Sequence, residues 1–110
     1  MDQRRHRSFI EACNACADAC DYCAAASLQE QDVKMMAQCI ALDMDCAAIC
    51  RTAASYMARE SRFAVALCTL CAEVCDACAK ECERHPYEHC RACASACRRC
   101  AEECRRMAHG

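Results

Sequence analysis

Cysteine accounts for 17 of the 110 residues, and the spacing of these thiols is the first feature capable of chemistry. Three segments share the pattern CxxCAxxCxxCA: residues 13–24 (CNACADACDYCA), 68–79 (CTLCAEVCDACA) and 90–101 (CRACASACRRCA). A fourth, 43–54 (DMDCAAICRTAA), keeps Cys46, Ala47 and Cys50 but has Asp43 and Ala53 where the others have cysteine. Cys39, Cys82 and Cys104 each lengthen a stripe by one turn, which leaves no cysteine outside the pattern. The candidate ligand set is therefore Cys13, Cys16, Cys20, Cys23, Cys39, Cys46, Cys50, Cys68, Cys71, Cys75, Cys78, Cys82, Cys90, Cys93, Cys97, Cys100 and Cys104. The frames hold six CxxC pairs, Cys13–Cys16, Cys20–Cys23, Cys68–Cys71, Cys75–Cys78, Cys90–Cys93 and Cys97–Cys100. A lone CxxC serves redox, zinc and iron–sulfur sites alike, whereas six in register predict a continuous metal–thiolate lining.

The elements that must position these thiols follow from the same spacing. Steps of 3-4-3 trace one face of an α-helix, while a strand would need a period of 2. The Ala, Glu, Arg and Lys residues between the cysteines are good helix formers. Helices are expected at about 5–27, 32–58, 61–84 and 87–108, with breaks near Ser27–Gln31, Arg59–Ser61 and His85–Pro86. Pro86 suits the first position of the fourth helix, where its missing N–H costs nothing, and Ser61 suits the cap of the third. Similar lengths and short connections predict an all-α, antiparallel up-down-up-down four-helix bundle, a single domain over 1–110 with cysteine lining its core.

Composition excludes most other classes. One Gly and one Pro leave too little turn chemistry for a sandwich, a barrel or an α/β sheet. No apolar run is long enough to span a membrane, and MDQRRHRSFIEAC lacks the apolar stretch of a secretory signal. The expected location is cytosolic, where thiols stay reduced, and an odd cysteine count forbids complete internal pairing. A formal charge of −2 offers no basic excess for nucleic acid or anionic membrane, so neither is an expected partner. Leu, Ile, Val and Phe number only 12, a poor core for a bundle. Leu42, Ile49, Leu67, Leu70 and Val74 lie beside the stripes, as helix–helix seams or a subunit interface. Buried cysteine also serves as a small hydrophobe, but 17 inert core thiols are not expected where safer apolar residues exist.

Charge separates the candidate metals, because a metal-bound thiol is deprotonated. Zinc in isolated four-thiolate sites leaves two net negative charges per site, and several such sites in one bundle repel. Cu(I) is soft and singly charged, so about one ion per thiolate neutralises the core. An iron–sulfur cluster needs four ligands, and an unbroken stripe exceeds the needs of one or two clusters. The reading is Cu(I), several ions per chain. A zinc or cadmium buffer and an iron–sulfur electron-transfer protein stand as alternatives, with a thiol oxidoreductase as a third that would need one exposed, low-pKa thiol.

Antiparallel packing gathers Cys23, Met35, Met36, Cys39, Cys82, His85, His89 and Cys90 at one end. Phe9, Ile10, Ala53, Met57, Phe63, Ala64, Cys104 and Met107 gather at the other, as an apolar plug. Met35, Met36, His85 and His89 are the candidate entry ligands, thioethers and imidazoles that hold copper more weakly than the thiolates beyond them. His6 and His109, near the termini, are expected in solvent. Asp43 lands among thiols, where it could accept their hydrogen bonds, take a proton on loading, or tilt to solvent.

With these residues in place, the chain resembles a known family, the bacterial copper storage proteins, four-helix bundles filled with cysteines. The likeness runs from Cys13 to Met107 and is most specific in CAAICRTAASYMARESRFAVALCTLCAEVCDACAKECERHPYEHCRACASACRRCAEECRRM. It implies high-capacity cytosolic storage of Cu(I), no catalysis and assembly into a homotetramer. It also implies that the 17 stripe cysteines are the ligands and that ERHPYEHC carries His85 and His89 near the copper entrance. Asp43 departs from the family, where another cysteine is usual, and bears on the number and arrangement of ions at mid-core. No protein donor or acceptor of copper is implied.

Overall fold

The structure, a computed structural model, describes residues 3–109, with side chains from Arg4 onward. Four α-helices make up the described chain: α1 (Gln3–Ser27), α2 (Ala37–Ala58), α3 (Ala64–Cys82) and α4 (Glu88–His109), with a 3-10 helix at Val33–Met36 before α2. α1 packs on α2 and α4, and α3 packs on the same two helices, which closes a square. The bundle is a rod of 46 × 17 × 17 Å. Its register is written in sulfur. Cys13, Cys16, Cys20 and Cys23 of α1 meet Cys100, Cys97, Cys93 and Cys90 of α4 in descending order. Along α2 and α3, Cys39 meets Cys82, Asp43 meets Cys78, Cys46 meets Cys75 and Cys50 meets Cys71. Both pairs run antiparallel without slippage.

Helix boundaries depart from periodicity where backbone hydrogen bonds compete with it. α2 closes through a left-handed residue, Glu60 (φ 53°). The Glu60 N–H donates to the Met57 carbonyl (2.9 Å) and the Ser61 N–H to the Tyr56 carbonyl (3.0 Å), the two bonds of a Schellman cap. Residues 61–63 are thereby taken up in the turn, and α3 starts at Ala64 instead of near 61. Ser61 still acts at this junction: its Oγ accepts the Phe63 N–H at 3.1 Å and its carbonyl accepts the Ala64 N–H at 3.0 Å. Pro86 stands two residues ahead of α4, whose first-turn N–H groups at Cys90 and Arg91 both reach the Tyr87 carbonyl at 3.1 Å. The 3-10 stretch carries Met36 beneath the end of the bundle, where it is buried.

Apolar packing is confined to the ends and seams. Phe9, Met57 and Met107 are buried at one end and Met36 at the other. Ile10, Ile40, Leu42, Ile49, Leu67 and Val74 are partly buried against the core. Leu70 is exposed, and Phe63 is 55% exposed and no part of the plug. Outside, Arg51 bridges α2 to Asp18 (2.9 Å) and Asp21 (3.0 Å) of α1. Arg98 bridges α4 to Asp76 at 3.4 Å and to Glu83 at 2.8 Å, and Arg105 also reaches Asp76. These exposed pairs contribute little to stability.

Candidate metal centre

All 17 cysteines are buried free thiols. Facing stripes on four helices bring their sulfurs into a column of overlapping groups. Starting from the Phe9 end, the groups include Cys13/Cys71/Cys100/Cys104, Cys50/Cys71/Cys75/Cys100, Cys16/Cys46/Cys50/Cys75, Cys16/Cys20/Cys46/Cys97 and Cys20/Cys78/Cys93/Cys97. Within each group the four sulfurs lie within 4.8 Å of one another, close enough to hold one ion jointly. Successive groups in this order share two sulfurs. Isolated tetrahedral sites would each need their own four, so the arrangement is built for bridging thiolates. Cys68 is buried beside this column, and with Cys104 it forms the floor of a surface pocket between α3 and α4.

Asp43 interrupts the sulfur column and does not tilt to solvent: it is fully buried. Its Oδ1 accepts the Cys78 and Cys93 thiols at 3.2 Å each and Cys82 at 3.7 Å, while Oδ2 accepts Cys39 at 3.8 Å. Burial first, then negative charge at Cys93, Cys78 and Cys23, pushes this carboxyl up to about 11. A neutral carboxyl thus sits among thiols from three helices at neutral pH. Burial also pushes the Cys68 and Cys90 thiols up to about 12, with charge at Cys71 and at Cys23, respectively, as the next cause. Hydrogen bonds from Cys39, Cys82 and Cys93 draw the Cys23 thiol well below its ordinary value.

Cys23 lies at the end of the column that gathers the histidines. The Nδ1 of His89 is 3.4 Å from the Cys23 sulfur and 3.5 Å from the Cys90 sulfur, and the two sulfurs are 3.8 Å apart. One imidazole and two thiols make a compact N/S triangle. The ring stacks on Tyr87 at 5.4 Å and 7°, and its Nε2 meets Glu30 at 2.9 Å. Burial pulls the His89 pKa down, but hydrogen bonds to Cys23 and Glu30 outweigh it and raise the pKa overall. Buried Ser27 has its Oγ 3.9 Å from the Cys23 sulfur. His85 pairs with its own helix end: its Nε2 meets Glu81 at 2.9 Å, and Arg84 holds the same carboxylate at 3.1 Å. Met35, 67% exposed, lines a surface pocket of about 360 Å³ together with His85, whereas Met36 is buried.

The opposite end corrects one expectation. His6 is buried (7% exposed), not solvated, and lines a surface pocket with Ile10 and Met57. Counting back from Cys13 and Phe9 in steps of four and three places His6 on the inward face, so the signal was present in the spacing. His109 is exposed. The Glu81–His85 pair was also legible, being an i, i+4 pair on a helix. Glu30 was not: it lies in the connection after α1, outside any periodic pattern.

Known proteins share this construction. The family described as copper storage protein matches residues 2–109. The apo form of copper storage protein 3 from Bacillus subtilis is 44% identical, over 93% of this chain and 97% of that one, with a TM-score of 0.86. The Cu(I)-bound protein BsCsp3 is also 44% identical, over 94% of this chain and 98% of that one, with a TM-score of 0.91. The copper storage protein Ccsp from Streptomyces lividans, loaded with 10 copper equivalents, is 41% identical over 99% of this chain and 87% of that one, with a TM-score of 0.95. No curated protein matches. A four-helix bundle with a column of shared thiols, matched over nearly its whole length, places this chain in the copper storage protein family.

Proposed function

We propose that the chain is a cytosolic store that holds many Cu(I) ions as thiolate clusters inside one bundle domain, with the 17 stripe cysteines as ligands and no catalytic role. The overlap of the four-thiol groups carries the reading. Each thiol that binds Cu(I) gives up its proton, so a column loaded at one ion per thiol carries no net charge. Zinc or cadmium in the same thiols leaves a residual charge that low dielectric penalises. The same overlap speaks against iron–sulfur clusters, which would each take four separate cysteines. A Streptomyces lividans relative described as a cytosolic copper storage protein, with five coppers, supports both the cargo and the compartment.

Copper enters, on this reading, at the end that holds Met35, Met36, His85 and His89. Met35 and His85 border one surface pocket, and His89 contacts the first sulfurs beyond it. Partners are copper ions and further copies of the chain, as a homotetramer. Tyr22, Leu28, Met44 and Leu70 offer exposed apolar surface for that assembly. Anaerobic Cu(I) titration with thiol counting tests the store. Uptake near or above the thiol count, with about one proton released per ion, is expected, and saturation at a few ions per chain overturns it.

A further inference from the structure

We propose that Glu30 is a positioning residue for His89: it fixes the neutral ring with its hydrogen on Nε2 and leaves Nδ1, the nitrogen facing Cys23 and Cys90, free to take a copper ion. The inference rests on the entry route proposed above and deepens it. A carboxylate only accepts hydrogen bonds. Glu30 Oε2 lies 2.9 Å from Nε2, so that nitrogen carries a hydrogen, and in the neutral ring Nδ1 keeps its lone pair. Both side chains are largely withdrawn from solvent, His89 at 11% and Glu30 at 26% exposure, where such a bond is less diluted by water than on an open surface.

Tyr87 holds the second degree of freedom. Its ring lies 5.4 Å from that of His89 at an interplanar angle of 7°, which sets the plane of the imidazole, while Glu30 sets which edge points inward. Together they aim Nδ1 at two sulfurs 3.4 and 3.5 Å away. Carboxylate contacts of this kind orient histidines that bind metals elsewhere. The acceptor comes from the connection between α1 and the 3-10 helix, 59 residues from its partner. A segment with no sulfur of its own thus takes part in organising the mouth of the column.

Glu30→Ala, Glu30→Gln and His89→Ala, each in the full chain, test this with two readouts. Imidazole nitrogen NMR of the metal-free protein, followed with pH to the limit at which the ring is neutral, reads the tautomer directly. Wild type is expected to show hydrogen on Nε2, Glu30→Ala a mixture, and Glu30→Gln largely the wild-type pattern through its amide oxygen. The rate of Cu(I) uptake from a weak chelator reads the consequence. Glu30→Ala is expected to load about 10-fold more slowly, with unchanged final capacity and with partial rescue in Glu30→Gln. A wild-type tautomer and a wild-type rate in Glu30→Ala, alongside slow loading in His89→Ala, overturn the role of Glu30 and leave the entry route standing. Wild-type loading in His89→Ala overturns the route, and the tautomer spectrum then still decides whether Glu30 sets the ring.

Discussion

The sulfur of Cys93 lies 3.2 Å from Oδ1 of Asp43, across the bundle from α4 to α2. Cys78 of α3 reaches the same oxygen at the same distance, so one carboxyl links three helices where the sulfur column would otherwise continue. Charge on that carboxyl is costly to bury, which makes it a pH-sensitive feature of the metal-free core.

Between the ordinary carboxylate pKa near 4 and about 11 in the fold, native Asp43 keeps a proton that the unfolded chain has released. Its contribution is full below the lower value and is lost as pH rises toward the upper one, by at most about 1.4 kcal/mol per pH unit. Urea melts of the metal-free protein between pH 5 and 7.5, below the ionisation of unfolded thiols, should show an Asp43 contribution that falls with pH, read as a more negative slope than in a variant without the carboxyl. Asp43→Asn, which has no proton to lose, should flatten that slope.

Asp43→Cys restores the repeat frame among Cys39, Cys78, Cys82 and Cys93. Capacity in anaerobic titration should rise by about one Cu(I) per chain, since a neutral acid gives way to a soft ligand. An unchanged endpoint would show that the mid-core layer is already filled around the carboxyl.

Glu60 occupies a left-handed backbone position (φ 53°) that glycine adopts without a Cβ clash. Glu60→Gly should stabilise the metal-free protein by roughly 0.5–1 kcal/mol, read as a higher midpoint in urea. Glu60→Val, with a branched Cβ at the same angles, should move the midpoint the other way.

Phe9 is fully buried at the end remote from His89. Phe9→Ala should cost the metal-free protein roughly 3–5 kcal/mol, and saturating copper should return much of it, because ligand bound only to the native state stabilises that state. The initial rate of copper uptake should match wild type. Faster uptake in this variant would mean that ions also pass through the Phe9 end.

The fold was legible because the inward face of every helix is chemically marked. Steps of three and four connect His6, Phe9 and Cys13 on α1, and Met36, Cys39 and Asp43 across the 3-10 helix into α2. They likewise connect Ala64 with Cys68 on α3 and Cys104 with Met107 on α4. Burial of His6 and Asp43 follows from that frame, and the expectation of a solvated His6 gave its nearness to the terminus too much weight. What periodicity does not carry is the geometry of the connections. Nothing in the spacing places Glu30 against His89, and the left-handed Glu60 carries none of the glycine that commonly marks such a position. These features depend on where backbone hydrogen bonds close once the helices have packed.

The shared sulfurs along the column have a consequence for how it fills. Cys97 belongs to two of the five four-thiol groups named above, as do Cys16, Cys20, Cys46, Cys50, Cys71, Cys75 and Cys100. An ion that settles in one layer therefore alters the donors open to the next, and the column behaves as a one-dimensional lattice with nearest-neighbour coupling. Loss of one such thiol damages two adjoining layers at once.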